Sequence, residues 1–325
     1  MQIKINNLTH TYAPKTRTEF TAIKDINLTI SEGEFIAVIG QTGCGKSTLI
    51  EHLNALLLPS RGSIEWKWIN SKYDKKTKKY ISYDDYLELK ASWFIEKRLK
   101  NGSTTQVLKI KKLRRVKRAK QLRKHVAIAF QFAEYQLFEE TIEKDIMFGP
   151  LSFGVDKEEA KLRAKKYLNL CGLDDSYLKK SPFGLSGGQK RRVALAGILA
   201  IEPDIIVADE PTAGLDPVGV QEILSIFKTL HELGKTVVIV THDLDNVLQI
   251  AQRVIVMNAG QIVKDDSTYK ALKDAKFLQD NKLQAPKLLD FVAKLEQKGW
   301  KVPQVQTIDE LADYISSRIN QQGGE

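Results

Sequence analysis

An α/β fold built on a parallel core sheet is what this 325-residue sequence predicts, and three observations predict it. A glycine-rich loop, Gly40-Gln41-Thr42-Gly43-Cys44-Gly45-Lys46-Ser47, matches G-x-x-x-x-G-K-[ST] in full; it lies between an apolar run, Phe35 to Ile39, and a helix-like stretch, Ser47 to Leu53. A second apolar run, Ile205 to Ala208, ends in the acid pair Asp209-Glu210. From Asp204 onward strand-like and helix-like segments alternate, the βαβ rhythm of a parallel sheet.

Taken in order, residues 2 to 39 read as short strands, Ile26 to Ile30 among them, with turns such as Ser31-Glu32-Gly33. The loop glycines then let several backbone N–H groups face one phosphate, and the following helix start adds its positive field. Lys46 would reach the β- and γ-phosphates of a nucleotide, and Ser47 would offer its hydroxyl to Mg²⁺. Cys44 lies near that helix start, where a thiol can become more acidic; the alternative is that it is merely tolerated there. Between Gln131 and Leu185 the periodicity is helical, most clearly from Lys157 to Cys171. Leu185-Ser186-Gly187-Gly188-Gln189 is a second phosphate-gripping turn, opening a helix from Gly188 to Ala200. One chain needs only one such loop per nucleotide, so a second implies that each copy closes over a nucleotide held by a partner. Asp209 at the end of a buried strand suits the Mg²⁺ shell, while Glu210, pointing the other way, can polarise a water. His242 follows the buried run Thr236 to Val240 and precedes Asp243; His10, His52, His125 and His231 are expected to play ordinary surface or core roles. The tail from about 265 reads as helices, clearest from Pro286 to Lys298 and from Ile308 to Ile319.

Composition bounds this reading. A 42% hydrophobic content supports one large α/β unit with appendages rather than two equal domains. The opening Met1 to Asn7 is polar, and no run approaches the ~20 apolar residues of a membrane span, so the chain is expected on the cytoplasmic side. Two cysteines, Cys44 and Cys171, are too few for a disulfide framework. Residues 66–124 hold 20 Lys and Arg against 5 Asp and Glu, so the +10 net charge of the chain is a property of this segment. Trp66, Trp68 and Trp93 lie there too, and Ser82-Tyr83-Asp84-Asp85 is read as the cap of a helix running through Tyr86, Leu87, Trp93 and Phe94. A second helix is read from Leu108 to Leu122, with Leu113, Val116 and Leu122 on one side. The segment is either a basic, aromatic arm touching anionic lipid headgroups or a solvated helical hairpin; nucleic-acid contact is the least favoured use of its charge.

The order of P-loop, Gln131, Leu185 to Gln189, Asp209-Glu210, Gly214-Leu215-Asp216 and Thr241-His242-Asp243 resembles the nucleotide-binding domain of ABC transporters. Phe130 to Thr141, Phe148-Gly149-Pro150 with Phe153-Gly154-Val155, and Arg191 to Gly197 most resemble the second ATPase, A-prime, of energy-coupling-factor (ECF) transporters. The resemblance covers residues 1 to about 65 and about 124 to 315. It implies a P-loop NTPase of ABC type with a parallel core sheet, an N-terminal antiparallel β-subdomain, an α-helical signature subdomain and a C-terminal helical extension. Residues 1–264 would form the ATPase domain, with the basic insertion at about 66–124 and the signature subdomain at about 132–200; residues 265–325 would form the extension. ATP and Mg²⁺ are the implied ligands. Tyr12 would stack on adenine, and Gly40, Gln41, Thr42, Gly43, Cys44, Gly45, Lys46, Ser47 and Thr48 would hold the phosphates. Ser47, Gln131 and Asp209 would face Mg²⁺, with Glu210, His242 and Gln131 as the catalytic set. Leu185, Ser186, Gly187, Gly188 and Gln189 would grip ATP bound to the partner, and Asp216 would cross the interface. The implied partners are a second ECF ATPase subunit, a different chain, together with a transmembrane coupling subunit and a substrate-binding membrane subunit that captures a vitamin or similar micronutrient. Glu134 would dock basic residues of the coupling subunit. Ala133 and Gly184 depart from the family pattern, where proline and an acidic residue often stand. The alternatives are the ATPase of another importer class and a soluble, nucleic-acid-associated ABC ATPase.

Overall fold

Alternation of apolar and polar residues starts the chain as strand. In β1 (Gln2–Tyr12) Ile3 and Ile5 are buried while Gln2 and Lys4 are exposed, and β2 (Phe20–Ile30) pairs with it antiparallel. The computed structural model describes residues 1–74, 79–98 and 104–322. Next come β3 (Phe35–Gly40), α1 (Lys46–Leu53) and β4 (Arg61–Asp74). β4 pairs on the other side of β1, with Ile3 opposite Trp66 and Ile5 opposite Ile64. Gly62 sits in this strand at φ +82°, where a Cβ would lie 2.3 Å from the Asn7 carbonyl oxygen; only glycine lets the two backbones approach this closely.

The basic insertion is β-structure, contrary to the two helices expected of it. β4 continues into β5 (Lys79–Lys90), and β6 (Ser92–Arg98) pairs with β7 (Thr104–Ile110) in a separate hairpin. The helix expected to start at Ser82 is instead two strands joined by a bend at Ala91, and of the second only α2 (Ala119–His125) forms. Trp, Tyr and Ile at period two favour a pleated surface over a helix, and pairing across β4 and β5 completes it. Leu113 and Val116 still pack against the core, from chain that is neither helix nor strand. Trp66 and Trp68 are not on an arm at all. They are fully buried under the antiparallel sheet β2-β1-β4-β5, and Trp66 Nε1 donates to the Leu53 carbonyl at 2.6 Å. Arg118, paired with Asp85, lies over the Trp68 ring, and His125 stacks beneath it.

β8 (Val126–Ala129) then enters the main sheet. The helical part follows as α3 (Ile142–Ser152), α4 (Lys157–Leu170) and α5 (Gly187–Leu199), the last two close to the expected Lys157 to Cys171 and Gly188 to Ala200. After it come β9 (Ile205–Asp209), α6 (Pro217–Glu232), β10 (Thr236–Val240), α7 (Leu244–Ile250), β11 (Arg253–Asn258) and β12 (Gln261–Ser267). The sheet order is β12-β11-β3-β10-β9-β8, parallel except for the antiparallel edge β12. All of β3 and β10 is buried, as expected of strands covered on both faces. Successive side chains divide between two cores: Phe35, Ala37 and Ile39 face the helices, whereas Ile36 and Val38 face α1 and the antiparallel sheet. The chain ends in α8 (Thr268–Lys273), α9 (Ala275–Asp280), α10 (Lys287–Gln297) and α11 (Ile308–Gln322). Tyr269, Leu272, Leu278 and Leu289 join the helical-side core, and Val292, Val302, Val305 and Leu311 form a small core of their own.

Candidate functional site

Parallel register gathers the polar residues at one edge. Val240 lies opposite both Val38 and Asp209, and Ala129 lies opposite Ala208. The chain therefore leaves β3, β8, β9 and β10 at their carboxyl ends together, where open α/β sheets bind ligands. A cleft of about 440 Å³ opens there, lined by Tyr12, Thr42, Gly43, Gly45, Lys46, Ser47, Thr48, Gln131, Asp209, Glu210 and His242. Thus residues spread over 231 positions of the chain meet in one place.

Within the loop, Gly40 stands at φ +150°, and a Cβ there would lie 2.3 Å from the Met257 carbonyl oxygen. Lys46 is buried and folds back, donating from Nζ to the carbonyls of Gly40 at 2.7 Å and Gln41 at 2.9 Å. Neutral carbonyls are weaker acceptors for an ammonium than a phosphate oxygen is. Tyr12 is about one-third exposed at the mouth, its hydroxyl 3.3 Å from Thr48 Oγ1. Cys44 is buried and its thiol is pushed up by burial, against the nearby Lys46 charge, in line with a residue merely tolerated in the loop.

Ser47 Oγ donates to Asp209 Oδ2 at 2.9 Å. Burial pushes the Asp209 carboxyl up, only partly offset by the Ser47 hydroxyl, and the Glu210 charge adds to the rise. Glu51 is pushed up by burial and by the Asp209 charge. This crowding of acids favours a cation, and a hydroxyl beside a carboxylate is the hard-oxygen set that Mg²⁺ takes. Among the described residues no group of three or more His, Cys, Asp or Glu is placed to hold a metal ion by itself. Glu210 has φ +47°, a conformation rare for a side chain of its kind, and its N–H donates to the Val240 carbonyl at 2.8 Å. Its carboxylate accepts from His242 Nδ1 at 2.9 Å; Glu210 is mostly buried and His242 is largely exposed. A carboxylate oriented by an imidazole beside a phosphate loop can align and deprotonate a water.

The second loop is elsewhere. Ser186 caps α5 reciprocally with Gln189: the Gln189 N–H donates to Ser186 Oγ at 3.3 Å, and the Ser186 N–H donates to Gln189 Oε1 at 3.1 Å. A Cβ on Gly187 would meet nothing within 4 Å, and one on Gly188 only Leu215 at 3.9 Å, so packing within the chain does not demand glycine there. Leu185 packs on the helical-side core, and Asp216 caps α6 by accepting from the Gly219 N–H at 2.7 Å. This second cleft, about 590 Å³, shares no lining residue with the first.

Two residues depart from the sequence reading. Glu134, expected to meet a partner's basic residues, is paired within the chain to Arg191, whose Nη2 donates to Oε1 at 2.7 Å. Arg191 had no role assigned. Its place on the buried face of a helix, beside Val193 and Ala194, was the available signal, because a buried guanidinium requires an acid.

A fold with a P-loop at the carboxyl end of a parallel-sheet strand, an acid pair at the end of the next strand but one and a separate helical signature defines an ABC-type ATPase. The family described as ABC transporter matches residues 23–213, and the chain belongs to it. It is 52% identical to the energy-coupling factor transporter ATP-binding protein EcfA2 of Mycoplasmopsis synoviae, over 97% of this chain and 96% of that one. Among solved structures it is similar to cbiO1 from Clostridium perfringens, part of the ABC transporter complex cbiONQ, with 29% identity and a TM-score of 0.63 over 90% of this chain and 98% of that one. It is also similar to the ATP-binding cassette MJ0796, solved as a dimer bound to ADP and Pi, with 28% identity and a TM-score of 0.59 over 82% and 98% of the two chains. The chain is therefore an ATP-binding subunit of the energy-coupling-factor type, an ATP-hydrolysing transport ATPase. Among its described residues no helix is long and apolar enough to cross a membrane.

Proposed function

We propose that the chain pairs with a second, different ATPase subunit and that each ATP lies between the P-loop of one chain and the signature of the other. The observation that carries this reading is the separation of the two clefts: Ser186 and Gly188 line one, Lys46 and Ser47 the other, and no residue lines both. An intact capping box and two glycines that nothing in the chain requires are what a phosphate arriving from outside needs. In this reading Tyr12 stacks on adenine, and Gly40 to Thr48 hold the phosphates through backbone N–H groups. Lys46 leaves its two carbonyls for the β- and γ-phosphates, while Ser47, Asp209 and Gln131 hold the Mg²⁺ carried by the nucleotide. That ion offsets charge on the phosphates. Glu210 aligns water for in-line attack on the γ-phosphate and takes its proton, His242 keeps Glu210 in place, and Asp216 crosses to the other chain.

Closing and opening of the pair would move a transmembrane coupling subunit and, through it, a substrate-binding membrane subunit that captures a vitamin or similar micronutrient. The naming of cbiO1 as part of a transporter complex supports this assembly. The chain would then sit peripherally on the cytoplasmic face of the cell membrane, with residues 1–264 as the ATPase domain and 265–325 as an extension that helps the two ATPases associate. Exposed Lys111, Lys112, Arg114, Arg115 and Lys117 would contact anionic lipid. Glu210→Gln should bind ATP, stop turnover and trap a closed pair, and Ser186→Arg should abolish turnover while leaving ATP binding at its own loop. Full-rate hydrolysis by an isolated monomer carrying Ser186→Arg would refute the two-chain site.

A further inference from the structure

The geometry points to Arg191 as a positioning residue that joins the loop around Gln131 to the signature helix, so that the nucleotide at this chain's own P-loop governs how Ser186 and Gly188 are presented to the partner's. This rests on the two-chain reading above. Arg191 is 5% exposed and lies on α5, five positions after Ser186. Its planar fork is used on three sides. Nε and Nη2 donate to the two oxygens of Glu134 at 2.9 and 2.7 Å. Nη1 donates to the carbonyls of Pro211 at 3.2 Å and Ala213 at 2.6 Å. The Phe132 ring lies 5.5 Å from the guanidinium carbon.

Each contact belongs to a segment that begins at the nucleotide cleft. Phe132 and Glu134 follow Gln131, and Pro211 and Ala213 follow Glu210; both Gln131 and Glu210 line that cleft. One side chain thus ties together the far ends of two segments whose near ends face the γ-phosphate position, and it does so from the helix that carries the signature. Both segments also start on a strained joint: Phe132 has φ +59° and Glu210 has φ +47°. Non-glycine residues rarely adopt this conformation and persist there only where their surroundings hold them. Arg191 braces the Phe132 ring at one joint and the Pro211 and Ala213 carbonyls just beyond the other. Lysine could keep the charge but not the fork, since its ammonium is a single point donor group.

A plain structural staple makes a different prediction, and the full chain, assembled with its partner ATPase subunit, separates the two. Arg191→Lys and Glu134→Gln are mild enough to fold. Both should bind a fluorescent ATP analogue at their own P-loop within about twofold of wild type, while kcat per folded molecule falls about tenfold or more. Added to Glu210→Gln, either should weaken the ATP-dependent pairing seen by size exclusion. If kcat stays within about twofold of wild type and only the melting temperature drops, the positioning role is overturned. Should Glu210→Gln pair with ATP while its Arg191→Lys double variant pairs equally well, this inference alone fails. Should Glu210→Gln alone never pair, the two-chain reading fails with it.

Discussion

Acid should weaken the fold by acting on the helix that carries the phosphate loop, and His52 sets the pH window. This histidine is fully buried on α1, where Nδ1 donates to the Thr48 carbonyl at 2.7 Å and Nε2 has no partner among the described residues. Burial lowers its pKa from 6.5 to about 4; the nearby His10 pushes the same way, and the Thr48 and Leu58 carbonyls pull back. Above the unfolded value both states are neutral and nothing is lost. As pH falls below 6.5 the unfolded chain takes a proton that the folded chain refuses, so stability drops until the folded group titrates near 4. At 1.36 kcal/mol per pH unit the full loss is about 3 kcal/mol, of which about 2 kcal/mol is reached by pH 5. Urea unfolding of wild type and His52→Gln, at constant ionic strength without nucleotide, isolates the effect because other titrating groups cancel. Wild type should be the more stable at neutral pH, and the gap should narrow by about 2 kcal/mol between about pH 7.5 and pH 5. A gap that stays constant across that range would mean that His52 accepts a proton equally well in both states, and the burial argument would be wrong.

Trp66→Ala removes a fully buried indole and its bond to the Leu53 carbonyl, so it should cost about 3–5 kcal/mol in urea unfolding; a loss below about 1 kcal/mol would show that the insertion, rather than the core, holds this residue. Vesicles containing phosphatidylserine should retain the protein at low salt and release it as salt rises, each basic side chain at the surface contributing about 1 kcal/mol. Glutamate at Lys111, Lys112, Arg114, Arg115 and Lys117 should abolish that retention, and equal binding to neutral phosphatidylcholine would remove the lipid assignment.

The residues that line the candidate nucleotide cleft were readable in the sequence because their chemistry is local. A strand, a glycine loop and a helix in succession prescribe a phosphate cradle wherever they occur, and Lys46, Ser47, Asp209, Glu210 and His242 each follow directly on a recognisable apolar run or loop. In the signature region α4 was readable because it buries one face at helical spacing, and α5 because it opens on the Ser186 turn. Residues 80 to 110 misled because a dense run of lysines and aromatics has no secondary-structure preference strong enough to outweigh its partners. Their strands exist by pairing with β4 and with each other, and no local window contains that information.

What the sequence determined by itself was therefore the set of chemical parts and their order: two glycine-rich turns, an acid pair, and a basic segment in an otherwise slightly acidic chain. Only the tertiary structure decided how the parts face one another. It put the two turns in separate clefts, sent Glu134 to Arg191, placed Trp66 and Trp68 in the core, and kept the Cys44 thiol from becoming acidic. The physical reason is that burial and long-range pairing depend on which surfaces meet, and contacts between residues tens to hundreds of positions apart leave no periodic trace in the chain that makes them.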